Sequence, residues 1–371
     1  MMVAKTMTSE LINRVLDLAV AIQQVPAPTF AEARRAEFVQ QQFLAQGLSA
    51  VSMDANCNVY ACLPGTGDAL PLVVSAHLDT VFPENTDLAV RRSAEEIAGP
   101  GIGDNALGVA GLFGLLWSLR LQGGILPGDL WLVANVGEEG LGDLSGMRAV
   151  VDRFGDQVTA YLVLEGMALG HIYHRGLGVR RYRITVQTTG GHSWVDYGRP
   201  SAVHELAALI TRLTALQMPA QPRTTLNVGT ISGGTSVNTI AAAAALELDL
   251  RSEDISMLDR LSMQVEKIVE EASRVGVEVK AEVIGCRPPG EISSEHRLVR
   301  LARQCLEAQG IQSYLHIGST DANVPLSRGL PAVCLGLTTG FGAHTQSEFI
   351  RTRPLAQGLA QLVALVEQVF A

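Results

Sequence analysis

Residues 129–147, DLWLVANVGEEGLGDLSGM, constrain this chain more than any other stretch. Leu130, Trp131, Leu132, Val133, Ala134 and Val136 are a short run of large and β-branched side chains, stopped by Gly137 and Gly140. That pattern predicts a buried strand ending in a tight turn. The turn carries Glu138 and Glu139 side by side. Charged side chains are mostly surface groups, so a Glu-Glu pair taken alone reads as a solvated loop. This pair has company. His77, Asp79 and Asp104 lie upstream and Glu165 and His344 downstream, each at the end of an apolar stretch or in a glycine-rich loop. The ends of strands in an open α/β sheet are where ligands bind.

The flanking sequence predicts such a sheet. Residues 8 to about 46 read as two helices, the first with Leu11, Val15, Leu16, Leu18, Ala19 and Ile22 at helical spacing and broken by Pro26 and Pro28. A strand over 72–76 (LVVSA) runs into His77 and Asp79. After the loop at 99–103, Asp104 takes a helix-capping place before 106–119, a helix so apolar all round that it should be buried. A short helix near 145–154 and a strand over 161–164, which delivers Glu165, continue the alternation. Alternating β and α with apolar strands implies a mostly parallel sheet covered on both faces.

From 178 to about 283 the order changes. Strand 179–188, loop GGHSW, helix 202–216, strand 225–231, loop GGTSVNT, strand 241–251, helix 255–275 and strand 278–283 follow one another. This β-α-β-β-α-β order is the ferredoxin-like split unit. Ala241 to Ala245 favour helix, but Leu246 to Arg251 alternate with period two, which predicts strand. Joints rich in glycine and proline, RGLG at 175–178 and GCRPPGE at 285–291, bracket the block. The remainder, with a helix over 298–309, a strand over 314–317, the loop GSTDAN, a strand over 333–335 and a last helix over 354–370, returns to the first pattern. The expected fold is therefore a doubly wound α/β domain with a mixed sheet, built from residues 1–177 and 286–371, and an inserted ferredoxin-like α+β domain at 178–285.

Composition narrows the function classes. At 371 residues and 47% hydrophobic content the chain has ample material for sizeable cores. A net charge of −9 and the lack of any basic run or basic-aromatic stripe argue against nucleic acid as a partner. Apolar stretches at 106–119 and 241–246 fall short of the ~20 residues that span a bilayer, so no membrane partner is expected. The opening MMVAKTMTSELINRVLDLAV carries Glu10 and Arg14 before any apolar core and no small-residue cleavage site, which predicts no signal peptide and a cytoplasmic location. Cys57, Cys62, Cys286, Cys305 and Cys334 are scattered and odd in number, indicating neither a disulfide framework nor a thiolate zinc site.

His77, Asp104, one of Glu138 and Glu139, Glu165 and His344 offer two imidazoles and three carboxylates. That set suits Zn²⁺, with Mn²⁺ or Co²⁺ as alternatives. One carboxylate between two ions ~3.5–4 Å apart leaves a shared water as nucleophile. Asp79, two residues beyond His77, can hold the imidazole in its metal-binding tautomer. The glutamate of the pair that is not a ligand is the natural general base. Single histidines at strand ends are more often ordinary core residues, and His171, His174, His204, His296 and His316 are read that way.

Seven segments make the pattern specific: SAHLDTVFP (75–83), GPGIGDNALGVAGL (99–112), VGEEGLGDLSGM (136–147), LEG (164–166), GGHSW (190–194), GGTSVNTIA (233–241) and GAHTQSE (342–348). In this order they resemble the motifs of the M20 metallopeptidase family, whose members are co-catalytic dizinc peptidases and deacylases, including peptidase T-like tripeptidases, glutamate carboxypeptidases and aminoacylases. By matching position, the resemblance implies His77, Asp104, Glu139, Glu165 and His344 as ligands of two zinc ions, with Asp104 bridging. It implies Glu138 as general base and Asp79 as the partner of His77. It further implies that the inserted domain is a lid and homodimerisation domain, where His192 reaches the neighbouring subunit's site to steady the oxyanion and Asn238 and Arg251 hold the substrate carboxylate. Gly318 and GSTDAN match the substrate-binding loop.

Two departures are small. Asn105 stands after the bridging position where acidic residues are also common in the family, and Phe82 lengthens the segment after His77. Glu165, where many aminopeptidase-like members have Asp, points to a carboxypeptidase or deacylase, whereas GLGDLSG and HSWVDYGRPSAVHELA resemble the peptidase T-like branch. The expected activity is hydrolysis of an amide bond in a short peptide. The alternatives are an N-acyl or carbamoyl amino-acid amidohydrolase with the same site, and a binding protein that keeps the fold without catalysis.

Overall fold

In the computed structural model, which describes residues 7–371, four apolar strands make the centre of the larger sheet. Leu130–Asn135, Leu72–His77, Ala160–Glu165 and Ala332–Gly336 lie side by side in that order, all parallel. Every residue of Leu72–His77 and of Ala332–Gly336 is buried. Burial on both faces is why these segments read as continuous apolar runs rather than as alternating ones. Antiparallel strands extend the sheet at each side, making it mixed: Val59–Leu63 and then Ser49–Met53 beyond Leu130–Asn135, and His171–Gly176 beyond Ala332–Gly336. Tyr314–Gly318 pairs in parallel with His171–Gly176.

Helix Leu107–Gln122 is buried from Leu107 through Leu119, as a helix without a polar face must be. Phe113 on it stacks on Phe43 of the helix Ala33–Ala45 with ring centroids 4.3 Å apart. By length and composition alone, Ile102–Gln122 could cross a membrane; here 94% of its most apolar window is covered by the protein itself. Helix Ser9–Gln23 starts where the Thr8 hydroxyl accepts the N–H of Leu11 (3.2 Å), satisfying one of the orphan donors of a first turn.

The helix expected to begin beside Asp104 starts later, at Leu107, with no side-chain cap. Asp104 lies in a preceding turn, Ile102–Ala106, with non-helical backbone angles (φ −115°, ψ 86°). Its carboxylate is therefore not a cap and is available for other bonds.

Leu355–Phe370 closes the larger unit. A β-carbon at its Gly358 would fall 1.8 Å from the carbonyl oxygen of Leu337, the residue that follows strand Ala332–Gly336. Gly358→Ala should therefore force helix and strand apart. Overpacking of this kind costs about 1–3 kcal/mol, more than the ~1 kcal/mol alanine gains over glycine within a helix. A urea midpoint equal to that of the parent protein would contradict this packing.

Two features of this unit escaped the sequence reading. His171–Gly176 is a full strand in which Ile172, His174 and Gly176 are buried and the residues between them are half-buried. A small antiparallel sheet joins Gly340–Phe341, Phe349–Arg351, Glu96–Ala98 and Arg91–Arg92.

The chain divides into two compact units, Met1–Gly176 with Gly290–Ala371, and Leu177–Pro289. The second runs Gly178–Thr188, helix Ala202–Thr214, Thr224–Gly233, Ala243–Ser252, helix Ile255–Ala272 and Val277–Arg287. Its sheet is wholly antiparallel, in the order Thr224–Gly233, Ala243–Ser252, Gly178–Thr188, Val277–Arg287. It has its own core, with Tyr182, Ile184, Leu206, Leu246 and Leu261 among the buried side chains. Residues of Ala243–Ser252 alternate between more and less buried throughout. Packing of one face thus overrides the helix propensity of the alanines.

Candidate metal centre

Three neighbouring parallel strands deliver the candidate ligands to one edge of the sheet. His77 is the last residue of Leu72–His77, Glu165 the last of Ala160–Glu165, and Glu138 and Glu139 follow Leu130–Asn135 after Val136 and Gly137. The carboxyl ends of parallel strands form the crevice where ligands sit in open α/β sheets. Asp104 comes from the turn before the buried helix. His344 comes from the loop between Gly340–Phe341 and Phe349–Arg351 and takes a left-handed backbone conformation (φ 65°). For a non-glycine residue that conformation is uncommon and is concentrated at functional sites.

The side chains converge on Asp104. Its Oδ1 lies 3.2 Å from His77 Nε2, and its Oδ2 lies 3.1 Å from His344 Nε2. Each oxygen therefore faces a different imidazole. His77 Nε2 is also 3.7 Å from Glu165 Oε2, and His344 Nε2 is 3.1 Å from Glu139 Oε1. Ligand atoms of His77, Asp104 and Glu139 all lie within 4.8 Å of one another, close enough to hold one ion. His77 is buried and His344 half-exposed, so the cluster is sealed on the side of the sheet and reachable from the side of His344.

This donor set fits divalent cations. Carboxylates outnumber imidazoles, and buried charges of one sign must be paired or must coordinate metal. Burial opposes ionisation of Asp104, but hydrogen bonds from His344 and His77 outweigh it and hold the carboxyl well below its usual range. His344 is pushed up to about 10 by Asp104 and Glu139. Burial disfavours the charged form of His77, yet bonds to Asp104, Asp79 and Glu165 raise it well above an ordinary histidine. Glu165 is pushed up to about 7, chiefly by burial, with the nearby Asp104 charge adding to the effect.

Asp79 organises the centre, though not quite as the sequence suggests. His77 Nδ1 donates to the main-chain oxygen of Asp79 (3.0 Å), with the Asp79 carboxylate 3.5 Å away. That bond leaves the lone pair on Nε2, toward Asp104, when the ring is neutral. The carboxylate of Asp79 accepts the backbone N–H groups of Glu138 and Glu139, each at 2.9 Å, and the hydroxyl of Thr29, also at 2.9 Å. One buried residue thus sets both, the imidazole through its main-chain oxygen and the Glu-Glu turn through its carboxylate. Asp79→Ala should lower metal affinity about 10–100-fold, the usual effect of removing a residue that orients ligands. A titration with unchanged affinity would argue against that role.

Several supporting residues have roles that the sequence does not show. Glu348, in the GAHTQSE segment, is fully buried and accepts backbone N–H groups of Gly101 (2.9 Å), Gly103 (2.6 Å) and Asp104 (2.8 Å). Burial pushes its carboxyl up to about 7 against the pull of those amides. Arg35 is buried as well, donating to the carbonyls of Val25 (2.8 Å) and Leu78 (2.6 Å). Burial draws its guanidinium down to about 10, while Asp79 and Glu32 hold it up.

The other candidates divide between the two units. Gly318 ends the strand Tyr314–Gly318, where a β-carbon would meet the Tyr173 ring at 2.6 Å. His192, Asn238 and Arg251 belong to the second unit. His192 pairs with Thr239, and the N–H of Ser193 donates to the carbonyl of Asn238 (3.1 Å), so His192 and Asn238 share one paired loop. His192 Nδ1 accepts the backbone N–H groups of Trp194 (3.2 Å) and Val195 (3.4 Å). Arg251 sits at the end of Ala243–Ser252 and pairs with Asp249 (2.7 Å). No disulfide joins the five cysteines, three of which are buried, and none of them is among the clustered ligand side chains.

Residues 73–368 match the model of peptidase family M20/M25/M40, and the chain belongs to that family of hydrolases. It is 24% identical to the protein YqjE of Bacillus subtilis over 96% of this chain and 98% of that one. Among solved structures it is similar to a tripeptidase from Staphylococcus aureus, with a TM-score of 0.81 and 21% identity over 96% of this chain and 98% of the other. The aminopeptidase PepT from Bacillus cereus gives a TM-score of 0.78 and 23% identity over the same shares of the two chains.

Proposed function

We propose that the chain is a two-metal peptidase that cleaves an amide bond in short peptides. The observation that carries this reading is the placement of Asp104, one carboxylate oxygen beside His77 and the other beside His344. A carboxylate set between two donor groups is what a bridging ligand requires. His77, Asp104 and Glu165 would hold one ion, and Asp104, Glu139 and His344 the other. Zn²⁺ is the ion that best suits two imidazoles with carboxylates, and Mn²⁺ and Co²⁺ suit them also. Bound there, the ions would polarise the scissile carbonyl and make a water acidic enough to ionise near neutral pH.

The chain supplies the proton chemistry. Glu138 is buried beside its ligand neighbour, with its own backbone N–H fixed by Asp79. It takes the proton of the attacking water and returns it to the leaving amine, the two halves of general acid–base catalysis. His192 steadies the oxyanion. Because its Nδ1 accepts backbone N–H bonds, the neutral ring carries its proton on Nε2 and presents a donor. Asn238 and Arg251 hold the substrate carboxylate, Arg251 with its planar fork, and Gly318 belongs to the substrate-binding loop. Arg251→Ala should raise KM several-fold or more with a smaller change in kcat, whereas equal falls in kcat and kcat/KM would place the arginine in the transition state.

The second unit acts in this reading as a lid and dimerisation domain, with His192 serving the partner's site. Co-expression of Glu138→Gln and His192→Ala chains tests both ideas. Each variant alone should be nearly inactive. If His192 serves the partner's site, mixed dimers contain one complete site and recover activity; no recovery would place His192 in its own chain's site or outside catalysis. A panel of di- and tripeptides, N-acyl amino acids and carbamoyl amino acids tests the substrate class, and faster turnover of acyl or carbamoyl compounds would replace the peptidase reading with an amidohydrolase one.

A further inference from the structure

We propose that Asn105 is the positioning residue that fixes Asp104 against Glu165, and thereby sets how tightly the centre binds the ion these two carboxylates would share. The inference rests on the two-metal reading. Asn105 is fully buried. Its Nδ2 donates to the carbonyl of Leu164 (2.8 Å), and its Oδ1 accepts the N–H of Gly166 (2.9 Å). Those two groups flank Glu165 in the chain. The residue next to Asp104 therefore grips the backbone on both sides of Glu165 through a single planar amide.

The surroundings are shaped around that grip. A β-carbon on Gly108 would lie 1.9 Å from Asn105 Oδ1, and one on Gly166 would lie 2.2 Å from the carbonyl oxygen of Gly103. Gly108 leaves room for the amide, and Gly166 lets the two segments approach this closely. Glu348 holds the same turn through the backbone N–H groups of Gly101, Gly103 and Asp104, so the turn is fixed at Asp104 and at its neighbour. An amide supplies one donor and one acceptor, which is what the two groups flanking Glu165 demand. An ionised carboxylate in its place could keep only the bond from Gly166. Ligands need placement to about 0.5 Å, and a two-point clamp across the strand end provides it.

The test uses the full-length protein, stripped of metal, as wild type, Asn105→Ala and Gly108→Ala. Gly108→Ala removes no polar group and places a better helix former in the helix, so it displaces the amide without touching a ligand. Each form is titrated with Zn²⁺ against a chromophoric chelator and with Co²⁺ while its visible spectrum is recorded; melting of the metal-free forms is followed in parallel. Both variants should bind about 10–100-fold more weakly in at least one step and show an altered Co²⁺ spectrum. Affinities and spectra matching wild type, whatever happens to the metal-free melting temperature, would make Asn105 a purely structural residue and overturn the proposal. If Asn105→Ala does not fold, Gly108→Ala decides alone. A wild-type chain that binds neither ion would sink the two-metal reading, and this inference with it.

Discussion

Replacing Glu138 by Gln should lower kcat by roughly 10²–10⁴-fold, the contribution of a positioned general base, while metal content stays at the wild-type level. Gln has the shape of Glu but cannot take up a proton in this range. Glu138 itself is buried, so bulk water is a poor substitute for the lost base. The bond from the Glu138 N–H to Asp79 is made by the backbone and survives the substitution; the turn, and with it Glu139, stays where it is. Elemental analysis and steady-state kinetics on the same preparation decide the matter. Loss of metal together with activity would make Glu138 a ligand, and retention of activity would assign the proton transfer elsewhere.

Asp104→Ala should abolish binding at both positions. Its carboxylate is shared between His77 and His344, so no other residue can replace it on either side. The fold should tolerate the change better than its burial suggests, because Glu348 holds the turn through backbone N–H groups of Gly101, Gly103 and Asp104 itself, none of them lost with the side chain. Ligand linkage gives the size of the effect. An ion present at 100 to 1,000 times its dissociation constant stabilises the folded chain by about 2.7–4.1 kcal/mol. Wild-type protein should therefore melt at a higher temperature when Zn²⁺ is added, and the variant should show no such rise. An equal rise in both would remove Asp104 from the ligand set.

The parts of this fold that the sequence reveals are those whose cause is local. Strands such as Leu72–His77 and Leu130–Asn135 are apolar because both faces are covered, and the residues at their ends follow from counting along the chain. His77, Glu138, Glu139 and Glu165 could be picked out for that reason. Asp104 and His344 stand out only as an acid and an imidazole in glycine-rich loops, which have no period to read, and the motif resemblance was needed to give them their roles. His171–Gly176 was missed because its alternation is written in His, Tyr and Arg as much as in apolar residues. The small sheet that carries the His344 loop uses strands of two and three residues, too short for any pattern.

What stayed hidden is the scaffolding around the ligands. Glu348 bonds to backbone groups 244 to 247 positions away, Thr29 reaches Asp79 across 50, and Asn105 binds the chain on either side of Glu165. Backbone N–H groups have no residue type, so no sequence records which side chain they meet. In the sequence, Asn105 is only a small departure from a motif. In the fold, its amide links two ligand-bearing segments.

The most direct test of the two-metal account is the metal content of the purified chain, measured by elemental analysis beside hydrolysis of di- and tripeptides before and after chelation. Close to two divalent ions per chain are expected, with hydrolysis that disappears on chelation and returns when zinc, manganese or cobalt is restored. A chain that binds no divalent ion and hydrolyses nothing after all three metals are supplied would contradict it and would leave a fold that has kept its ligands without the chemistry.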